Sequence, residues 1–355
     1  MEETKKPVVK RETKNKISVD YEGKLSFKER LINKLKASNT WLKVAINIFR
    51  FILMLGVSYV ILYPFFSRIA SSFMSKEDIV DSTVALIPKH FSLEIYKNLL
   101  SSENHFFEAL GNTVLISLIC AVLQTMVACL IGYGLAKFKF VGNKAIMAIV
   151  VVTMIIPHRA LMFSFDQHFT NFDFVSVQSW NWMKGPIELI TGDTIELTDT
   201  IWPLIILSIC GLAFKNGLYI YLMRQFFKGV PDELEESACV DGSGTFRTFV
   251  QIIIPLSVPM MITIFLFSFS WQWTDNFYMG NQMFRSLGSE FYLMPDLYTN
   301  MPEALKKYET FAGWSLYKNA IENTAGMIII APLLVLYLFC QKYLVQGIER
   351  SGLVG

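Results

Sequence analysis

Arg224-Gln-Phe-Phe-Lys-Gly-Val-Pro-Asp-Glu-Leu-Glu-Glu-Ser-Ala-Cys-Val-Asp-Gly-Ser-Gly-Thr-Phe-Arg-Thr-Phe-Val-Gln-Ile-Ile-Ile-Pro255 is a polar interval held between two strongly apolar runs. Its punctuation predicts helix, turn, helix. Pro231 suits a first helical turn, where its missing N–H would have no intrahelical partner, and Asp232 and Glu233 complement the positive helix end. Gly242 and Gly244 end the helix, and Thr245 can cap the next one. A short helix therefore projects at the tip of a hairpin. On it Ser237, Ala238 and Gly242 are small enough to permit close approach of another protein, while Glu235, Glu236 and Asp241 offer charge to a basic partner. A merely solvated acidic turn is the competing reading.

The flanking runs belong to six stretches apolar enough to span a bilayer: 48–70, 108–135, 145–165, 202–223, 251–273 and 324–344. Each holds about the 20 residues that ~30 Å of hydrocarbon demands. Of 355 residues 53% are hydrophobic and 17% charged, against about 25% charged in soluble domains; the mean hydropathy is +0.40. Those values exclude disorder and argue against a soluble globule, and the loops are too short to build a large separate domain. The expected fold class is an all-α polytopic membrane protein with six transmembrane helices.

Net charge is +2, from 32 basic and 30 acidic residues, so the total points to no nucleic acid or acidic partner. Its distribution is more informative. Lys or Arg occupies twelve of the first 47 positions, which places the N-terminus in the cytoplasm by the positive-inside rule, and six spans return the C-terminus to the same side. The remaining loops agree. Segments 136–144, 224–250 and 345–355 carry seven basic residues in 47, whereas 71–107, 166–201 and 274–323 carry eight in 123. No cleavable signal peptide is expected, because the first apolar run lies beyond forty polar residues and is long enough to remain as an anchor.

Residues 1–40 read as a mostly disordered, lysine-rich tail ending in a short surface helix near 31–35. Residues 137–144 are short and basic, which forces an antiparallel hairpin between the second and third spans. The aromatic-rich external segment 166–201 reads equally as a folded cap or as a substrate platform. Four of the five cysteines fall inside spans and Cys239 in the 224–250 loop. With no CxxC pair and no Cys/His cluster, metal and redox chemistry have no support.

Two groups of polar residues sit where they are expensive. The fifth span ends Ser270-Trp-Gln-Trp-Thr-Asp-Asn276; Gln272, Trp273 and Asp275 combine a flat apolar ring with donors and acceptors, as sugar binding requires, although tryptophan near an interface also serves as a belt residue. Lys215 and Asn216 lie inside the fourth span, where an ionisable group must face a cavity or a partner, as a site or as a structural ion pair. His158, after Pro157, reads as a polar contact within the bundle.

Glu236-Ser237-Ala238, Asp241-Gly242, Phe249, Ile252 and Pro255 match the Glu-Ala-Ala motif of ABC importer permeases at its spacing. The chain resembles the carbohydrate branch of that family, in the manner of the maltose-type second permease subunit. Asn112-Thr113, Ala136 to Gly142, Ile156-Pro157, Met223 to Phe227 and Gln341 to Gly347 support the likeness, which covers roughly 45–165 and 200–355. Ser237 departs from the usual alanine while staying small, and the 166–201 insertion and N-terminal tail look longer than usual.

The resemblance implies the type I importer fold. Its parts would be a cytoplasmic tail (1–44), a first transmembrane helix (45–71), a permease domain (108–344) with a coupling helix at 231–244, and a short cytoplasmic C-terminal tail (345–355). It implies as partners a second homologous permease, two cytoplasmic ATPases that bind ATP and magnesium, an external binding protein, a sugar and membrane lipid. This chain has no GxxxxGK[ST] loop, so it binds no nucleotide cofactor itself and is not the ATP-hydrolysing subunit. The resemblance makes Glu236 the first choice for a charge pair with the ATPase groove. A secondary transporter should show related halves and acidic residues at mid-membrane depth, and a membrane enzyme a convergent acid, base or nucleophile; neither is evident. Within the transporter class the alternative cargo is a glycerol phosphate or a uronate-bearing glycan, with Lys215 as the charge partner.

Overall fold

The computed structural model describes residues 8–12, 18–22, 38–101, 105–173, 186–191, 193–198, 200–275, 293–295, 303–310 and 312–350. The surface helix expected near 31–35, the aromatics of 174–182 and Asn276 lie outside the described residues. The chain divides into two units, residues 1–67 and 68–355.

In the first unit, β1 (Val8–Glu12) and β2 (Ser18–Glu22) pair antiparallel, with Val9 opposite Tyr21 and Lys10 opposite Asp20. Valine and tyrosine favour extended backbone, and this short pair is an addition to the all-helical reading. The rest of the chain is mostly helical. Next comes α1 (Ser38–Ser72), which runs past the division between the units. Every side chain from 42 to 66 is exposed, and nearly all are apolar, the surface a helix offers to lipid.

The second unit opens with the short helices α2 (Lys76–Val80) and α3 (Glu94–Leu99). Its centre is α4 (Phe106–Lys137). Then follow α5 (Asn143–Ile155), α6 (His158–Thr170), α7 (Pro186–Thr191), α8 (Trp202–Ile209), α9 (Asn216–Lys228) and α10 (Glu233–Val240). The chain ends in α11 (Thr245–Trp273), α12 (Glu303–Lys306) and α13 (Trp314–Arg350). A π-helical turn at Phe249–Ile253 lies inside α11.

Among the described residues four helices are long and apolar enough to cross a membrane, α1, α4, α11 and α13. The third and fourth expected spans are each built from two shorter helices, α5 with α6 and α8 with α9. Pro157 ends the helical bonding between α5 and α6, since it has no N–H to donate and its ring disfavours helix in the preceding residue. The fourth span breaks over residues 210–215. Gly211, at φ +71°, lets α8 close in a Schellman turn, with the N–H of Leu212 on Leu207 O at 2.9 Å and that of Gly211 on Ser208 O at 3.3 Å. Lys215 is also left-handed, at φ +67°, before α9 restarts. A hydropathy window averages over both breaks, which is why each reads as one span.

Packing around α4 positions everything else. One core cluster joins Cys129 and Tyr133 of α4 to Tyr219, Met223 and Phe227 of α9 and to Phe249 and Ile264 of α11. Gly132 makes the α4–α9 approach possible: a Cβ there would lie 2.6 Å from Met223 Cβ. Buried Gln124 links three helices, donating to Ser208 Oγ at 3.2 Å and accepting from Ser268 Oγ at 2.6 Å. A satisfied polar contact of this kind fixes register inside an apolar bundle.

Candidate functional site

The polar interval between α9 and α11 folds as its residues dictate. Asp232 precedes α10 and Asp241 ends it, and Gly242, at φ +80°, completes a second Schellman turn, with Gly242 N–H on Cys239 O at 3.0 Å and Ser243 N–H on Ala238 O at 2.9 Å. Only glycine takes that backbone conformation without strain. Ala238 is buried, and Ser237 Oγ donates to Leu234 O at 3.1 Å.

A lysine at the end of α4 braces the start of this helix. Lys137 Nζ donates to Val230 O at 2.7 Å and to Asp232 Oδ1 at 2.5 Å, and lies 3.7 Å from Glu235 Oε1. Its side chain is 7% exposed. The hydrogen bond from Lys137, aided by its charge, holds the Asp232 carboxyl below the usual carboxylate range. Glu235 therefore faces inward to Lys137, while Glu236 and Asp241 face solvent. Beside them stand two bare apolar side chains, Val240 at 88% exposure and Phe246 at 78%. Sequence reading missed Lys137 because its partners lie about a hundred residues on, and missed Val240 and Phe246 because a lone apolar residue in a polar loop carries no periodic signal.

The two helix breaks line a common cavity of about 230 Å³, bordered by Thr153, Met154 and Pro157 from one and Gly211, Phe214 and Lys215 from the other. The half-helices meet tightly at its edge, for a Cβ on Gly217 would lie 2.5 Å from Thr153 Oγ1. Lys215 Nζ stands 4.8 Å from the Phe214 ring centroid and 5.2 Å from that of Trp271, and those rings pack edge to face at 5.2 Å. Trp271 is 49% exposed. Asn216 turns inward instead, fully buried, with Nδ2 3.5 Å from Ser208 O.

Gln272, Trp273 and Asp275 are elsewhere. They line a separate recess of about 10 Å³ with Thr113 and Ser117, room for no more than about one water. Trp273 is 1% exposed, donates Nε1–H to Ile329 O at 2.9 Å and stacks on Phe269 at 5.5 Å. The indole beside Lys215 is thus Trp271, not Trp273.

Residues 124–350, from Gln124 through both breaks, the hairpin and α13, match one family along their whole length: the binding-protein-dependent transport system inner membrane component. The chain belongs to that family. It is a membrane-embedded permease subunit of the ABC transport class, a transport component and not an enzyme. The permease is 27% identical over 312 residues to the polygalacturonan/rhamnogalacturonan transport system permease protein YtcP of Bacillus subtilis (strain 168), covering 87% of this chain and 97% of the relative. It is 27% identical over 303 residues to the maltodextrin transport system permease protein MalD of Streptococcus pneumoniae (strain ATCC BAA-255 / R6), covering 85% and 93%. Its fold matches a chain from the crystal structure of a bacterial ABC transporter involved in the import of the acidic polysaccharide alginate, with TM-score 0.58 and 20% identity over 90% of this permease and 99% of that chain.

Proposed function

We propose that this permease forms half of the transmembrane pathway of an ATP-driven importer for an oligosaccharide delivered by an external binding protein. A second homologous permease supplies the other half, and two cytoplasmic ATPases, which bind ATP and magnesium, supply the energy. Relatives named for polygalacturonan and maltodextrin transport support a saccharide cargo. The 1–44 and 345–355 segments and the 231–244 hairpin then face the cytoplasm, in keeping with the basic-residue bias.

The observation that carries this reading is α10: a short helix braced at its base by Lys137 and closed by Gly242, with Glu236 and Val240 turned outward beside Phe246 of α11. Isolated apolar side chains of that exposure beside a charge suit a protein partner's groove. As a coupling helix it would seat in an ATPase, and closure of the ATPases would rock the spans between inward-open and outward-open states. Replacing Val240 by Asp in the reconstituted complex tests this. ATPase subunits should no longer copurify with the permease pair, and uptake should cease. Normal uptake and normal ATPase retention would refute the docking role.

A further inference from the structure

We propose that the cytoplasmic rim of α5 seats one anionic phospholipid of the inner leaflet, its phosphate on Arg224 and Lys144 and an acyl chain along the bare face of α5. This rests on the orientation given by the importer reading and adds to it a lipid partner of defined charge. Depth comes first. From Val114 to Ala136, α4 carries no charged residue, about 35 Å of helix at ~1.5 Å per residue, against ~30 Å of hydrocarbon. Lys137 and the turn that follows it therefore lie at headgroup level. That turn is held in shape: Asn143 Nδ2 donates to Phe138 O at 3.0 Å and to Leu135 O at 3.2 Å, and Gly142 takes φ +94°. It presents Lys139, Phe140 and Val141, all exposed, the aromatic and basic chemistry of a membrane interface.

Charge and shape then select the partner. Leu135 O also accepts from Arg224 Nε, at 3.4 Å, so the guanidinium of α9 and the start of α5 meet at one carbonyl. With Nε engaged there, the two terminal nitrogens form the fork that matches a phosphate. Among the described residues neither Arg224 nor Lys144 pairs with a carboxylate; Asp232 and Glu235 are held by Lys137. Lys144 also opens a helix face that continues through Ala148, Val151 and Ile155, each apolar and exposed. Cations at the rim and a bare apolar strip running ~16 Å into the hydrocarbon layer reproduce the two parts of a phospholipid. A cytoplasmic ATPase could reach only the rim, and an apolar helix of the partner permease would leave the cations without a counter-charge. A zwitterionic headgroup brings its own cation beside the phosphate, so the site favours an anionic one.

The complex of both permeases and ATPases is purified from proteoliposomes of equal phosphatidylglycerol and phosphatidylcholine, and retained lipid is counted by native mass spectrometry. Wild type should retain phosphatidylglycerol about tenfold or more over phosphatidylcholine, a preference kept in Lys144→Arg and lost in the double variant Arg224→Gln, Lys144→Gln. Ala148→Trp obstructs the apolar strip while leaving both cations; it should lose the preference too, and it decides the matter if the double variant does not assemble. Photoactivatable phosphatidylglycerol should label α5, Asn143–Ile155. Equal retention of the two lipids, a preference unchanged in either variant, displacement of phosphatidylglycerol by inorganic phosphate, or crosslinking of α5 to the partner permease in place of lipid would overturn the proposal. Binding-protein-stimulated ATP hydrolysis, measured on the same proteoliposomes, reports on the importer reading: if it persists while the lipid preference is absent, only the lipid assignment fails. If the preference is found in a complex whose ATP hydrolysis ignores the binding protein, only the importer reading fails.

Discussion

Lys137 Nζ and Asp232 Oδ1 lie 2.5 Å apart across 95 residues of sequence, joining the last residue of α4 to the first turn before α10. Asp232 is 79% exposed, but the lysine is almost enclosed and also holds Val230 O, so the contact braces α10 through a backbone carbonyl as well as through the ion pair. The contact ties the start of α10 to the end of the bundle's central helix.

Lys137→Met should uncouple the transporter: ATP hydrolysis continues, while sugar moved per ATP falls several-fold. Lys137→Arg should restore most of it. Proteoliposome uptake and phosphate release measured together decide the matter, and a Met variant with an unchanged ratio would make the brace dispensable.

The same contact has a defined pH window. Asp232's carboxyl is lowered, by its hydrogen bond with Lys137 and then by that charge, so its contribution is fully present above the unfolded carboxyl value of ~3.9 and is lost as pH falls through the folded one. Protection of α10 amides from hydrogen exchange, compared at matched intrinsic exchange rates, should be flat from about pH 8 to pH 5 and decline only in stronger acid. A decline centred near neutrality would point to another group.

Gly242→Val should weaken the hairpin by about 1–2 kcal/mol, the left-handed cost for an L residue, and Gly242→Asn by less. Ranking ATPase copurification in the order Gly, Asn, Val checks this. Val equal to wild type would mean the turn adopts another backbone.

The two indoles of α11 should behave differently. Trp273→Ala removes a stacked ring and an indole hydrogen bond from the core, at a cost of about 3–5 kcal/mol, and should lower folded yield. Trp271→Ala should leave yield intact and reduce uptake. Detergent thermal melts and transport at equal surface level separate the two effects.

Topology is testable with a native residue. Exposed Cys239 lies on α10, so in a variant retaining only this cysteine an impermeant thiol reagent should label inside-out vesicles and spare intact cells. Labelling from outside would invert the orientation.

The helix of the hairpin was legible because Pro231, Asp232 and Gly242 act locally, each through its own backbone constraint. The long apolar helices were legible because hydropathy is additive along the chain. The break at 210–215 was not, since Lys215's left-handed backbone answers to packing and no residue type announces it. Nor was the choice between Trp271 and Trp273. Helix geometry places them on different sides, but which side meets Lys215 depends on how α11 packs against the half-helices. The β1–β2 pair was hidden in a tail whose charge masks a few β-branched residues.

A rod transmits a push along its full length, whereas a fractured one delivers it only as far as the fracture. The α5–α6 and α8–α9 breaks border one cavity, and Gly217 clamps α9 to α5 just beside it. On the proposed coupling role, a load entering at α10 would reach α9 and, through the close Gly217 contact, α5 together, and the two breaks rather than the rods would be the places able to bend.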